Sequence, residues 1–382
     1  MLAQGLLTIL RMTSIGIPRE IKSGEARVGL TPIEVKQLVE LEHAVRIEKG
    51  AGTLVGFTDD HYRDAGAEIV ADAASVYVCD VIAKVKEIQP SEFALLRRGQ
   101  ILCGFAQVAR DVALLDALLE AGVSVVAYEA IKDVHGSTPV LAPMSRIAGT
   151  MSVSIAQWCL QTAQGGRGVL LGPDARIVIV GAGVSGLAAA EAFYRLGCAV
   201  TVVLRDENRA QTLLTRVPQG VRCVAIDALA ALLPQCDVLI GAVSVPGALS
   251  PKLITRDMMR TMAKGAVFID IGIDMGGVSE TSRQTTWSTP IYVEEGVVHF
   301  CVANIPAQVP QAATAALAAA ALPYVRAVAE HGVIAASRLD AGLAAAVQVF
   351  AGAVTSPSVA RDTGRNCQQL FKEMPILLGI EP

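Results

Sequence analysis

Three glycines in the run Ile177-Val178-Ile179-Val180-Gly181-Ala182-Gly183-Val184-Ser185-Gly186 carry the spacing G-x-G-x-x-G. Alone, that spacing is a weak signal. Here it closes a β-branched strand and opens an alanine-rich helix, the setting its mechanism needs. Gly181 makes the tight turn, Gly183 lets the backbone approach a pyrophosphate, and Gly186 lets helix and strand pack closely. The pyrophosphate then rests on the helix N-terminus, where backbone N–H groups point outward. The alternative is a plain tight turn with three chance glycines; the strand and helix on either side favour a dinucleotide.

The end of the following strand bears on the ribose. An NAD site places Asp or Glu about 20 residues after the glycines, to accept from the 2′-hydroxyl. This chain reads Val202-Val203-Leu204-Arg205-Asp206-Glu207, so the apolar run is followed by Arg205. A guanidinium suits a 2′-phosphate through charge-assisted bonds. Arg209, one helical turn on, can join it. The expectation is NADP(H) in preference to NAD(H), unless Asp206 takes the acid's role and Arg205 faces solvent.

These residues need strands and helices to position them. The pattern is strand then helix, repeated, which predicts α/β architecture with parallel sheets. Ser14–Ile17, Ala44–Ile47, Asp80–Ala83, Ile101–Phe105 and Val123–Tyr128 read as the first strands. Thr31-Pro32-Ile33-Glu34 opens a helix with a capping box. A second series has strands at Arg176–Val180, Ala199–Leu204, Val238–Ala242, Ala266–Ile271 and Val297–Val302, with a helix at Leu187–Leu196. After Pro310 the pattern turns purely helical, around Ala312–Leu322 and Leu339–Gly352, with no sheet of its own. The expected fold is two Rossmann-like domains. A nucleotide domain at 145–307 is inserted into a discontinuous substrate domain of 12–144 and 308–382, joined by a helix at Ser145–Leu160.

Composition narrows the function classes. The 382 residues, at roughly 150 per domain, suggest two or three domains. With 52% apolar and 18% charged residues, the chain can bury sizeable cores and is not disordered by composition. A net charge of −4 gives no reason to expect nucleic acid or an anionic membrane, and 4% aromatics argue against a stacking platform for single strands. Phe300–Val325 is uncharged and long enough to span a bilayer. It holds Asn304, Gln308, Gln311 and three prolines, and much of the rest is alanine, so it reads as a loop followed by a buried helix. The eight cysteines form no C-x-x-C pair and read as reduced core thiols of a cytoplasmic protein; the scattered histidines give no metal site. Residues 1–11 read as a start-site extension or a tail rather than a signal peptide.

Several segments, in order, resemble bacterial alanine dehydrogenases and, more distantly, the α subunit of proton-translocating nicotinamide transhydrogenase. They are Gly16-Ile17-Pro18-Arg19-Glu20-Ile21-Lys22, Arg27-Val28-Gly29-Leu30-Thr31-Pro32, Lys84-Val85-Lys86-Glu87, Ala142-Pro143-Met144-Ser145, Gly165-Gly166-Arg167-Gly168, Gly181–Gly186, Ile273-Asp274-Met275-Gly276-Gly277 and Cys301-Val302-Ala303-Asn304. The resemblance implies that Arg27 and Lys86 hold the substrate's carboxylate and carbonyl. Two cations at strand ends can bind an α-keto or α-amino acid, although each alone is more often a solvated surface charge. It implies that Asp274 is the catalytic acid beside the nicotinamide, and that Ser145 and Asn304 touch the cofactor. Val243 and Arg283 match further cofactor contacts. A homo-oligomer, hexamer or dimer, is also implied.

The departures from that family are informative. Gln107, in Phe105-Ala106-Gln107-Val108, stands where the family carries its catalytic histidine. Glutamine can hydrogen-bond a carbonyl or amine but cannot exchange a proton near neutral pH. Arg146 stands where the family carries an acid, and Arg205 replaces the ribose-binding acid. The expectation is an NAD(P)H-dependent oxidoreductase moving hydride at the α-carbon of a small amino or 2-oxo acid. Two alternatives remain: a specialised imine or enamine reductase with an amino-acid-derived substrate, and a non-catalytic nucleotide-binding subunit.

Overall fold

A computed structural model describes residues 12–214, 217–243 and 249–371. Residues 1–11, for which an extension or tail was expected, lie outside them. The chain divides into two compact units. The described residues up to Pro143 and from Val309 onward form unit 1, and Met144–Gln308 form unit 2.

In unit 1 the chain lays down β1 (Ser14–Ile17), β2 (Ala44–Glu48), β3 (Glu68–Val70), β4 (Val81–Ala83), β5 (Ile101–Gly104) and β6 (Ser124–Ala127). All six run parallel, in the spatial order β3-β2-β1-β4-β5-β6. Unit 2 repeats that order with β7 (Arg176–Val180), β8 (Ala199–Leu204), β9 (Arg222–Ala225), β10 (Val238–Gly241), β11 (Val267–Asp270), β12 (Ile291–Glu294) and β13 (Val297–Phe300). Its order is β9-β8-β7-β10-β11-β13, with β12 antiparallel on the edge. Both sheets are doubly wound, and each reverses direction once, between β1 and β4 and between β7 and β10. Ligands of such sheets bind beyond the strand C-termini at that reversal.

Local sequence accounts for the elements. Thr31 caps helix Pro32–Glu40 and Glu34 accepts its backbone N–H at 3.1 Å, completing the capping box. In unit 2, Ile177, Ile179, Val200, Val202, Val238 and Ile240 put one face of the sheet into a core shared with Phe193 of helix Val184–Arg195. Leu102, Leu114, Leu118 and Val125 do the same in unit 1.

The expectation of a purely helical C-terminal part is overturned. The helical segment Pro310–Leu339, broken at Gly332 (φ 70°, ψ 168°), is long and apolar enough to cross a membrane, yet Ala313, Leu317, Ala318, Ala321 and Val325 are buried, and it packs on helix Pro32–Glu40 and on β4. It is a core helix of unit 1. Beyond it, Leu339–Gly352 is not one helix. Asp340 caps a short helix, Ala341–Ala346, and the chain then forms β14 (Val347–Phe350) and β15 (Ala353–Val354). These extend the first sheet past β6 in antiparallel fashion. The alanine run hid the alternating Val347-Gln348-Val349-Phe350. Ala351 and Gly352, at φ 49° and 82°, make the hairpin turn.

Candidate active site

In unit 2 the glycine turn after β7 has the geometry its spacing requires. Gly181 sits at φ 106°, and a Cβ there would stand 2.5 Å from the Ala242 carbonyl oxygen. A Cβ on Gly186 would run into the Gly181 carbonyl, so the helix lies hard against the strand end. At Gly183 a Cβ would meet nothing within 4 Å. Gly183 caps the helix without a side-chain acceptor among the described residues, so the first-turn N–H groups can serve an outside anion. Open space at such a helix N-terminus fits a dinucleotide pyrophosphate. Val243, just after β10, is half-buried and lines the same reversal, its Cγ2 2.9 Å from where a Gly181 Cβ would be.

Ser145 is half-exposed in the first turn of helix Ala142–Cys159. One turn on, Gly149 lets that helix touch the Ser185 carbonyl beside the glycine turn, a contact any side chain would block. Arg146, beside Ser145, is exposed. Asp274 lies in the turn Ile271–Met275 after β11, and its exposed carboxylate accepts the backbone N–H of Asn304 at 3.5 Å. Asn304 follows β13 and holds a left-handed φ of 57°. Buried Asp270 shapes this loop by accepting from Gly272 N, Val278 N and Ser282 Oγ at 3.1, 2.9 and 2.5 Å; burial pushes its carboxyl pKa up. Arg283 is committed elsewhere: its guanidinium stacks 3.6 Å above the Tyr292 ring and approaches Glu294.

After β8, Arg205 is largely exposed and its Nε lies 3.5 Å from Asp206. Asp206 caps helix Glu207–Leu213, accepting from Arg209 N at 3.0 Å, and also faces the Arg209 guanidinium. The Arg209 backbone N–H, followed by the Arg205 guanidinium, holds the Asp206 carboxyl below its usual range. That carboxylate therefore serves as a helix cap and faces two arginines.

Unit 1 gathers buried charge at its own reversal, where the segments after β1 and β4 meet. Arg27 is 2% exposed, so it is no solvated surface charge. Glu25 clasps it, Oε1 accepting from Nε at 2.7 Å and Oε2 from Nη2 at 2.6 Å. Arg19, Glu20, Glu25 and Arg27 border a cavity of about 320 Å3 together with Gly50, Ala51 and Leu54. Glu20 ties this segment to the next one. Its Oε1 accepts the backbone N–H of Val85 at 2.6 Å and of Lys86 at 3.3 Å. Lys86 is buried as well. Lys84 is paired with Glu92 at 2.6 Å and lies 3.8 Å from Glu20.

Gln107 follows β5 at a left-handed φ of 45°, half-buried. Glu129, just after β6, holds it there by accepting Gln107 N at 2.8 Å and Ala106 N at 3.2 Å. Burial raises the Glu129 pKa, opposed by those N–H donors and by Lys86. Sequence reasoning missed Glu20, Glu25, Lys84, Glu92 and Glu129. A signal existed for one of them: Glu25 sits two residues before Arg27, and a buried cation needs a partner.

The chain matches two family models, "Alanine dehydrogenase/PNT, N-terminal domain" over residues 16–148 and "Alanine dehydrogenase/PNT, C-terminal domain" over 152–357. It is 42% identical over 358 residues to an alanine dehydrogenase of Halomonas elongata, covering 92% of this chain and 96% of that one. It is 40% identical to alanine dehydrogenase 2 of Staphylococcus aureus, covering 91% and 95%. A solved L-alanine dehydrogenase superposes with a TM-score of 0.88 at 37% identity, over 92% of this chain and 99% of that one. A transhydrogenase from Sinorhizobium meliloti shares the fold, with a TM-score of 0.77 at 24% identity over 90% and 99%.

Proposed function

Because the chain belongs to the alanine dehydrogenase and transhydrogenase family, we propose that its two units divide one reaction between them. It is an oxidoreductase of the alanine dehydrogenase kind, exchanging hydride between a nicotinamide nucleotide and the α-carbon of a small amino or 2-oxo acid. The observation that carries the assignment of the substrate half is Arg27: a guanidinium buried at a sheet reversal, bordering a cavity large enough for a small acid.

The roles follow from residue chemistry. Gly181, Gly183 and Gly186 hold the pyrophosphate, with Ser145, Val243 and Asn304 as further cofactor contacts and Arg283 at the margin. A bound nicotinamide supplies or accepts the hydride. Arg27 fixes the substrate carboxylate, and Lys86 polarises the carbonyl or imine. Asp274 is the proton-exchanging group beside the nicotinamide. Gln107 orients the substrate nitrogen or oxygen but moves no proton.

At the ribose, Arg205 and Arg209 favour NADP(H) over NAD(H), since Asp206, the acid directly after Arg205, caps a helix and faces both arginines. We place the protein in the cytoplasm as a homo-oligomer, dimer or hexamer, acting on small molecules rather than nucleic acid or membrane. Gln107 favours a second reading, reduction of a preformed imine derived from an amino acid, which asks less proton transfer of the protein. The third alternative, a non-catalytic subunit, is set aside: the relatives matched along more than nine-tenths of both chains are dehydrogenases. A panel of 2-oxo acids with ammonium, amino acids and preformed cyclic imines, followed by nicotinamide absorbance with both nucleotides, tests these readings. Turnover of amino or oxo acids supports the first and turnover of imines alone the second. Inertness to all, with nucleotide bound, contradicts both.

A further inference from the structure

Glu20 is a buried carboxyl satisfied at one oxygen only. Oε1 accepts from the amides of Val85 and Lys86. Oε2 is buried with no hydrogen-bond partner among the described residues. The nearest cation, the Lys84 ammonium, is 3.8 Å away and is already held by Glu92. The surrounding charges are otherwise matched. Glu25 clasps Arg27, Glu92 holds Lys84, and Lys86 acts on Glu129. Arg19, next in the chain, faces Glu48 of β2. The remaining groups that act on Glu20 are the carboxylates of Glu25 and Glu92, and the Tyr77 and Tyr128 phenols lie within its field.

An anion with one bare oxygen in such a place is costly, and the neutral acid is the cheaper buried form. Burial pushes the Glu20 pKa up to about 7, against the pull of Lys84. Its charge therefore responds to what enters the cavity it shares with Arg27. We propose that Glu20 takes a proton from solvent onto Oε2 when an anionic carboxylate binds in the Arg27 cavity, keeping the net charge of the buried cluster unchanged and the Lys86 segment in place. This rests on Arg27 being a carboxylate site, as proposed above. A 2-oxo acid brings one net negative charge and an amino-acid zwitterion brings none, so uptake is larger for the oxo acid. Glu20 acts through Lys86 and Arg27, and is a positioning residue.

The test is calorimetric titration with pyruvate and with alanine near neutral pH, in two buffers of different ionisation enthalpy, alongside infrared spectra of the carboxyl stretch. Wild type should take up a sizeable fraction of a proton with pyruvate, less with alanine, and none in Glu20→Gln. The band of a buried protonated carboxyl should titrate near neutrality and move to higher pH when pyruvate is added. Pyruvate binding without proton uptake, or uptake undiminished in Glu20→Gln, overturns the coupling while leaving the carboxylate site intact. No binding heat with pyruvate, in protein that still binds nucleotide, overturns the carboxylate site and the coupling with it. Should Glu20→Gln not fold, wild type decides alone: absence of a carboxyl band titrating near neutrality refutes the proposal.

Discussion

Glu25 grips Arg27 with both carboxylate oxygens, at 2.7 Å from Nε and 2.6 Å from Nη2, and also accepts the Arg27 backbone N–H at 3.1 Å. The guanidinium is thus oriented before any substrate arrives, and its burial does not leave a bare charge in the core. Removing one partner of a buried pair strands the other, at a cost of about 3–5 kcal/mol. Glu25→Ala should therefore lower unfolding stability by that order in denaturant titration. A loss below about 1 kcal/mol, on the scale of an exposed pair, would show that the clasp is not what keeps Arg27 in place.

Gln107 sets the proton accounting. Oxidising an amino acid to an imine and hydrating it requires several proton transfers, and acid–base help is worth roughly 10²–10⁴ in rate. Wild type should turn over alanine slowly, and Gln107→His should raise that rate. The exchange fits only if the new side chain keeps the left-handed backbone that Glu129 holds. Alanine turnover by wild type at the rate of an ordinary dehydrogenase would make Gln107 a tolerated substitution.

Nucleotide preference is expected to follow Arg205. Arg205→Asp removes a cation and adds an acid at the end of β8, so the kcat/KM ratio of NADPH to NADH should fall. Because Arg205 is exposed and, among the described residues, ion-paired with Asp206 alone, stability should change little. A wild type that strongly prefers NADH, with a preference unaltered by the substitution, would remove Arg205 from the ribose site.

Both doubly wound sheets were legible because their strands are β-branched runs followed by helix signals, and Ile177–Val180 with its glycines needed no tertiary information. Short edge strands were not. Glu68–Val70 and Arg222–Ala225 carry too few apolar residues to stand out, and Val347–Phe350 follows an alanine run that reads as helix. The candidate cations could be named from sequence, but not their partners. That Glu25 holds Arg27 and Glu129 holds Gln107 depends on chain folding, which brings β5 beside β6 and turns the segment after β1 back on itself. Nor could sequence show that Asp206 caps a helix.

Glu20 links folding to pH. Its pKa is raised from 4.5 to about 7 by burial, so between those values the folded chain binds a proton that the unfolded chain does not. The sign is that stability falls as pH rises through this window and levels off above it. The protonated acid's contribution, complete below the unfolded value, is lost by the folded one, an amount of order 3 kcal/mol. Glu20→Gln should flatten that part of the stability curve. Equal slopes in wild type and variant would mean that Glu20 is ionised throughout.

In the proposed reaction, hydride passes between nicotinamide and the α-carbon of a small acid held by Arg27. Its most direct measurement supplies reduced nucleotide deuterated at C4 with a 2-oxo acid and ammonium, or with a preformed imine, and follows the label by mass spectrometry. Deuterium should appear at the α-carbon of the product, with product formation abolished in Arg27→Ala while nucleotide affinity stays within a few fold. Label absent from every product, or transfer undiminished in Arg27→Ala, would contradict it.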